Sequence, residues 1–376
     1  MQLAFCLFYF FPFGGQQRDF LKIAEICRRR GHSIHVFVMD VQGEFPPEYE
    51  VIHLRPRGFS NHRRCRDFAR QVGNQLEGRR FDAVIGFSKM PGLDVYYAAD
   101  TCYLEKVLTT RPFIYRLGDR FRTYAAMERA VFDPAAKTEI LLIAEQEKSK
   151  FIRHYGTQAE RFHVLPPGIS RDRVAPANAA EIRRMLRLEL GLADDDLMLL
   201  LVGSAFRTKG LDRAMLAVKA LPHELKKRTR LFILGQDKQA PFERLARRLE
   251  IEQQVYFLGG RSDVPRFLLG ADLLLHPAYL ENTGTVLVEA LAAGLPVLAS
   301  SVCGYAGHIE KSGGGLLIPQ PFSQETMNEL LAHMLVSPER ATWQRNALDY
   351  AAKADIFSLH EQATEIIEAV AGRIAS

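Results

Sequence analysis

The chain has 376 residues, 47% hydrophobic and 25% charged, with a formal net charge of +5. That is too long for one typical domain, apolar enough to build two cores, and too weakly basic for a dedicated nucleic-acid binder; a phosphate-bearing substrate or an anionic surface suits it better. Its five cysteines, Cys6, Cys27, Cys65, Cys102 and Cys303, are odd in number and lack a CxxC spacing, which argues against a disulfide framework or a zinc site and for a reducing cytosol.

Leu3–Phe13 is mostly apolar but lacks the basic n-region and small-residue cleavage site of a signal peptide. No apolar stretch reaches the roughly 18 residues of a membrane span. Leu3–Tyr9 reads as a buried strand. Gln16–Arg30 then carries Phe20, Leu21, Ile23, Ala24 and Ile26 at helical spacing, closed by Gly31. Further strands are expected at His35–Met39, Asp82–Phe87 and Glu139–Ile143. Between the last two, Tyr103–Phe132 interleaves Lys106, Arg111, Arg116, Arg120, Arg122 and Arg129 with apolar and aromatic residues, among them Phe113, Tyr115 and Phe121. That mixture suits an anionic membrane interface. It also fits a base-stacking surface or a helix pair on the core with snorkelling arginines.

Leu165-Pro166-Pro167-Gly168-Ile169 breaks any regular element and reads as the interdomain linker. A second alternating series follows: strands at Leu197–Val202, Arg230–Leu234, Val255–Leu258, Leu273–His276 and Pro296–Ala299, with helices at Leu211–Leu221 and Phe242–Leu249. After Ser323 the chain reads as helical to its end. The alternation predicts an α/β fold of two Rossmann-like, doubly wound domains, with ligands taken in a cleft at the C-terminal ends of the two sheets.

The most informative stretch is Glu281-Asn282-Thr283-Gly284-Thr285-Val286, followed by Glu289 and Gly294-Leu295-Pro296. A helix opening at Thr283–Val286 presents free N–H groups and a positive dipole end to a diphosphate. Glu289, inside that helix, can accept both hydroxyls of a ribose, and Glu281 can face the sugar. A surface loop and a solvated helix would show the same spacing.

In Val202-Gly203-Ser204-Ala205-Phe206-Arg207-Thr208-Lys209-Gly210, a strand turns into a helix with two cations suited to phosphate oxygens. The order is not that of a P-loop, and a solvated basic turn is the alternative. Phe11-Pro12-Phe13-Gly14-Gly15 allows close backbone approach at the first such turn but is not a GxGxxG fingerprint. Asp19, one turn on, could reach the cleft or serve the helix dipole. Asp194-Asp195-Asp196 reads as a solvated turn. His276 ends a strand either as a cleft residue or as a hydrogen-bonded structural histidine. No HExxH or His/Cys cluster occurs, so no catalytic metal is expected.

These features, with Lys89-Met90-Pro91-Gly92-Leu93-Asp94-Val95-Tyr96, His276-Pro277-Ala278-Tyr279 and Val302-Cys303-Gly304-Tyr305-Ala306, resemble nearly end to end the lipopolysaccharide core glucosyltransferases, retaining GT-B enzymes of glycosyltransferase family 4. The resemblance implies an acceptor-binding domain over residues 1–168, a nucleotide-sugar domain over 169–355, and a terminal helix, 356–376, crossing back to the first. It implies glucose transfer from UDP-glucose to an inner-core heptose with retention of configuration. No metal or other cofactor is implied. Glu281 would lie beneath the transferred sugar and Glu289 on the ribose. Lys209 and Arg207 would bind the diphosphate, with Arg173 and Arg261 as further cations. Gly14 and Gly15 would close over the donor, Asp19 would sit near donor or acceptor as a catalytic residue with Glu281, and Tyr103–Phe132 would attach the protein to anionic lipids at the cytoplasmic face of the inner membrane.

Asn282 and Thr283 stand where many relatives carry two alanines, which leaves galactose or an N-acetylhexosamine open as the donor sugar. Arg207 is one residue away from the position relatives use, next to the lysine. Glu281 is expected to position the sugar rather than attack it. A transferase with a soluble small acceptor and a non-catalytic nucleotide-sugar or RNA binder are the other readings; a nicotinamide dehydrogenase is disfavoured by the missing glycine fingerprint.

Overall fold

The computed structural model describes residues 1–11 and 14–375; Pro12, Phe13 and Ser376 lie outside the described residues, so the Phe11–Gly15 motif is seen only at its two ends. The chain forms two compact units, Met1–Gly168 with Ser358–Ser376, and Ile169–Phe357. The division falls inside the proline-rich linker. The second unit runs to Phe357, beyond the 355 expected. Ile356 is buried with Ile169, Val288, Ala292 and Tyr305, and the Ile169 N–H donates to its carbonyl at 3.1 Å.

In the first unit, seven parallel strands lie in the order β3-β2-β1-β4-β5-β6-β7. They are β1 (Gln2–Phe10), β2 (Ser33–Val41), β3 (Glu50–His53), β4 (Ala83–Gly86), β5 (Val95–Ala98), β6 (Glu139–Leu142) and β7 (Phe162–Val164). β1 is central, pairing β2 on one side and β4 on the other. Its alternate side chains enter different cores: Leu3, Phe5 and Leu7 pack with Phe20 and Ile23, while Ala4 and Cys6 pack with Phe68, Val72 and Val131. A strand buried on both faces reads as a continuous apolar run, which is why β1 is legible in the sequence.

The Leu359–Ala375 helix belongs to this unit, burying Leu359, Ala363, Ile367, Val370 and Ala371 beside β1 and the Gly15–Arg29 helix. Their spacing is that of one helical face.

In the second unit, six parallel strands lie in the order β10-β9-β8-β11-β12-β13: β8 (Leu197–Val202), β9 (Thr229–Leu234), β10 (Val255–Gly259), β11 (Leu273–His276), β12 (Val297–Ser300) and β13 (Gly315–Ile318). β8 repeats the design of β1, with Leu197, Leu199 and Leu201 on one face and Met198 and Leu200 on the other. Asp272, just before β11, is buried. It accepts from Arg183 at 2.6 Å, from Arg187 at 3.2 Å, from Arg340 and from the Met198 N–H at 2.7 Å. This ties the Ala179–Glu189 and Arg340–Lys353 helices to the sheet.

All five cysteines are free and buried. Among the described residues no helix is long and apolar enough to cross a membrane.

Candidate active site

In the second unit, β8 and β11 end side by side, and the loops that follow them carry Lys209 and Glu281. The loop after β8 is pinned by Phe206, fully buried, with ring contacts to Phe242 and Phe257. It re-enters a helix at Gly210, whose φ is +76° and where any Cβ would collide with the Pro277 carbonyl. A side chain there would push the Lys209 backbone off the β11 loop. From the other side, Arg213 donates to the Pro277 and Ala278 carbonyls at 3.2 and 3.1 Å and lies between the rings of Tyr279 and Phe322.

Glu281 is held where this loop meets the stretch around Cys303, with which it forms an isolated parallel bridge. Gly284, at φ +82°, caps the Thr285–Ala292 helix. Thr283 accepts from the Tyr305 N–H at 2.7 Å. The segment Glu281, Asn282, Thr283, Gly284 is therefore fixed at both ends, with Thr285 and Val286 opening the helix behind it.

The Glu281 carboxylate takes Lys209 Nζ and His276 Nε2, the latter at 3.3 Å, both on Oε2. Its Oε1 accepts from no described residue. Burial raises the carboxyl's pKa, but the His276 hydrogen bond and the Lys209 charge outweigh it and hold the value at about 2. Glu281 is therefore a fixed anion at neutral pH. His276 is fully buried, and burial lowers its pKa despite Glu281, which keeps the ring neutral. The ring donates through Nε2 when its proton sits there, and Nδ1 is then a buried acceptor with no partner among the described residues. Of the two sequence readings, His276 is thus a hydrogen-bonded residue, and its partner is the candidate carboxylate itself.

Glu289, one helical turn behind Thr285, accepts from Arg173 Nε at 3.2 Å. This places Arg173 beside the ribose candidate. Arg207 does not accompany Lys209. Its side chain is 72% exposed, pairs with Asp212 at 2.8 Å and stacks on Tyr279. Arg261 is likewise engaged, bound through two nitrogens to Asp263 at 2.7 and 2.8 Å and lying over Phe267. Asp196 accepts from the Ala193 N–H at 2.9 Å as part of a turn, with Asp194 and Asp195 exposed.

The remaining predicted residues belong to the first unit. Gly14 caps the Gly15–Arg29 helix. Asp19 lies beyond the first turn of that helix, so it does not serve the dipole. It accepts from the Tyr97 hydroxyl at 2.7 Å and from His360 at 3.0 Å. Tyr97 and His360 are partners that periodicity does not reveal, because they sit on β5 and on the terminal helix.

Tyr103–Phe132 folds as two helices, Tyr103–Thr110 and Asp119–Phe132, joined through a 3-10 turn at Phe113–Leu117. Both helices bury one face, through Val107, Met127, Val131 and Phe132. Phe121 stacks on Tyr103, and the Tyr115 hydroxyl lies 3.2 Å from that of Tyr103, so both rings are half-buried. The turn instead presents Phe113, Ile114 and Leu117, which are 70%, 74% and 59% exposed. Arg111 and Arg116 lie over the neighbouring rings of Tyr115 and Phe113, while Lys106, Arg120 and Arg122 are exposed.

Residues 183–354 match the family Glycosyl transferases group 1, and residues 13–173 match Glycosyltransferase Family 4. The chain is 45% identical over 98% of its length to the lipopolysaccharide glucosyltransferase WaaG of Escherichia coli K12, covering 98% of that protein. It is 29% identical to a D-inositol 3-phosphate glycosyltransferase of Xylanimonas cellulosilytica over 61% of this chain and 58% of that one. The crystal structure of WaaG superposes with a TM-score of 0.90 over 97% of this chain and 99% of that chain. Anabaena HepE, solved with UDP-glucose, superposes at 0.74 with 19% identity, covering 98% and 100% of the two chains, a likeness of fold alone. With a carboxylate–lysine–histidine group at the strand ends and identity along nearly the whole chain, the protein is an enzyme of the GT-B fold: the chain belongs to the glycosyltransferase family that includes the E. coli lipopolysaccharide glucosyltransferase.

Proposed function

We propose that this enzyme transfers a hexose, glucose first, from a UDP-sugar to an inner-core heptose of lipopolysaccharide. The likeness to the E. coli glucosyltransferase supports both donor and acceptor. The single observation that carries the chemistry is Glu281, a half-buried anion with one oxygen held by Lys209 and His276 and the other open. In the reaction the bond from the sugar's anomeric carbon to the β-phosphate breaks, and positive charge develops on the sugar. The acceptor hydroxyl bonds to that carbon from the face the phosphate leaves, and its proton goes to the departing phosphate. Glu281 stabilises the developing cation and positions the sugar through Oε1. Lys209 and the start of the Thr285–Ala292 helix offset the charge gathering on UDP. Glu289, turned by Arg173, takes the ribose hydroxyls. The reaction as written draws on side chains and a helix start, and calls on no metal.

The turn bearing Phe113, Ile114 and Leu117 among Arg111, Arg116 and Arg122 supports attachment to the cytoplasmic face of the inner membrane through anionic lipids.

The test is product mass after incubation with a panel of UDP-hexoses and heptosylated lipopolysaccharide. A gain of one hexose from UDP-glucose, undiminished by chelator, is the expected result. A second reading rests on Asn282 and Thr283, whose polar atoms adjoin Glu281 in sequence: transfer only from a UDP-N-acetylhexosamine or UDP-galactose would assign donor choice to these two residues.

A further inference from the structure

The first unit holds a cavity of about 300 Å³ that the transfer chemistry above does not use. Its floor is formed where β1, β4 and β5 end, by Tyr9, Ser88 and Thr101, among others. β1 lies between β2 and β4, so this is where the strand order reverses, the position at which open parallel sheets take ligands. The two helices of the Tyr103–Phe132 segment supply the wall, through Tyr103 and Lys106 from one and Arg120 and Tyr124 from the other.

The lining has a definite chemistry. Lys89 is committed to the buried Glu128 and to the Thr101 carbonyl, so that pair is neutral overall. Lys106 and Arg120 make no ion pair among the described residues, and Arg120 rests against the Tyr124 ring. Asp100, also on the lining, opposes one of these two charges and leaves a net positive site. Tyr9, Tyr103 and Tyr124 line the cavity with aromatic rings, one face of Tyr103 being taken by Phe121 and one of Tyr124 by Arg120. Apolar faces with edge hydroxyls, one carboxylate acceptor and an excess cation match a sugar that carries an acidic group: rings against its C–H face, Asp100 on its hydroxyls, Lys106 and Arg120 on its acid.

We propose that this cavity is a subsite for an acidic sugar of the acceptor glycan, a residue bearing a carboxylate or phosphate beside the one that receives the hexose. The proposal rests on the reading of the acceptor as a lipopolysaccharide. The same two helices frame the exposed turn of Phe113, Ile114 and Leu117, so a lipid-linked glycan would enter the cavity while its acyl chains stayed at that turn. Lys106 and Arg120, counted by composition among membrane-facing cations, thereby gain a saccharide role.

The test uses the full-length protein and deacylated, water-soluble heptosylated core oligosaccharide, with binding followed by calorimetry in the absence of donor. The expected result is saturable binding that weakens at least tenfold in Arg120→Gln and in Lys106→Gln, with UDP affinity and thermal midpoint unchanged. Neutralising the oligosaccharide's carboxylates and phosphates should weaken binding to the wild type by a similar factor. Wild-type affinity in both variants, equal affinity for the neutralised oligosaccharide, or no binding by the wild type would each overturn the proposal. Displacement by glycerol phosphate at equal concentration would also overturn it, assigning the cations to a lipid headgroup. Transfer activity is read separately. Arg120-dependent binding without hexose transfer sinks the transfer reading and keeps the subsite, and full transfer with unaltered variant binding does the reverse.

Discussion

Glu128 in the first unit and Glu281 in the second are both largely removed from solvent, and each carries a lysine. Glu128 also accepts from the Tyr103 and Leu104 N–H groups at 2.8 and 3.0 Å, from the Tyr155 hydroxyl at 2.7 Å and from the Cys102 thiol at 3.7 Å, so both its oxygens are filled. It closes the start of the Tyr103–Thr110 helix and fixes that helix to the core. Glu281 has its two partners on one oxygen and leaves the other open. In each, burial raises the pKa and the partners reverse the effect. A low pKa therefore does not separate a structural carboxylate from a reactive one. The unfilled oxygen does, because an acceptor left without a protein partner is placed to take one from a ligand.

The largest effect should come from breaking the filled site. Glu128→Ala leaves Lys89 buried without its counter-charge, and the loss should be about 3–5 kcal/mol. Denaturant unfolding would measure it, and Lys89→Met combined with Glu128→Leu should recover most of it. A loss near zero in the single variant would remove the distinction drawn here. At the open site, Glu281→Ala should lower kcat by roughly 10²–10³-fold while UDP affinity stays within about threefold of wild type, as expected where the lost interaction is made only in the transition state. Equal losses in turnover and UDP binding would show that Glu281 holds the nucleotide.

Acid should probe the open site further. The His276 pKa is depressed below its usual 6.5, so the unfolded chain takes up that proton first and stability begins to fall as pH drops through 6.5. The depressed Glu281 stabilises fully above about 4.5 and loses its contribution as pH falls from there towards about 2. Thermal midpoints across this range should fall less steeply for Glu281→Gln than for the wild type, and parallel curves would contradict the assignment. The smallest effect is expected at Arg207. An exposed ion pair contributes about 0–1 kcal/mol, so Arg207→Ala should change kcat/KM less than about threefold, in contrast to the inward-facing Lys209. A loss as large as that of a Lys209 variant would mean that Arg207 swings onto the diphosphate.

Much of the fold is legible before any coordinates. β1, β2, β8, β9 and β11 are apolar runs buried on both faces, and the helices between them carry a one-sided period. The strands not anticipated, β3, β5, β7 and β13, have three or four residues each. β3, β7 and β13 are edge strands, where polar residues such as Glu50 and His163 interrupt the apolar signal. The stretch from Glu281 to Glu289 is local in the chain, so its helix opening and its two carboxylates are visible in the spacing.

The amino-acid order alone thus determined two doubly wound units, the linker at Leu165–Ile169 and the loop that carries Glu281. Those features follow from periodicity and turn chemistry, which act over a few residues. Only the tertiary structure decided that Lys209 turns onto a carboxylate 72 positions away while Arg207 faces solvent. It also set Arg173 on Glu289 across 116 positions and Asp19 between Tyr97 and His360. Partners that distant are brought together by strand order and helix packing, and no local pattern encodes which of two neighbouring cations will face inward.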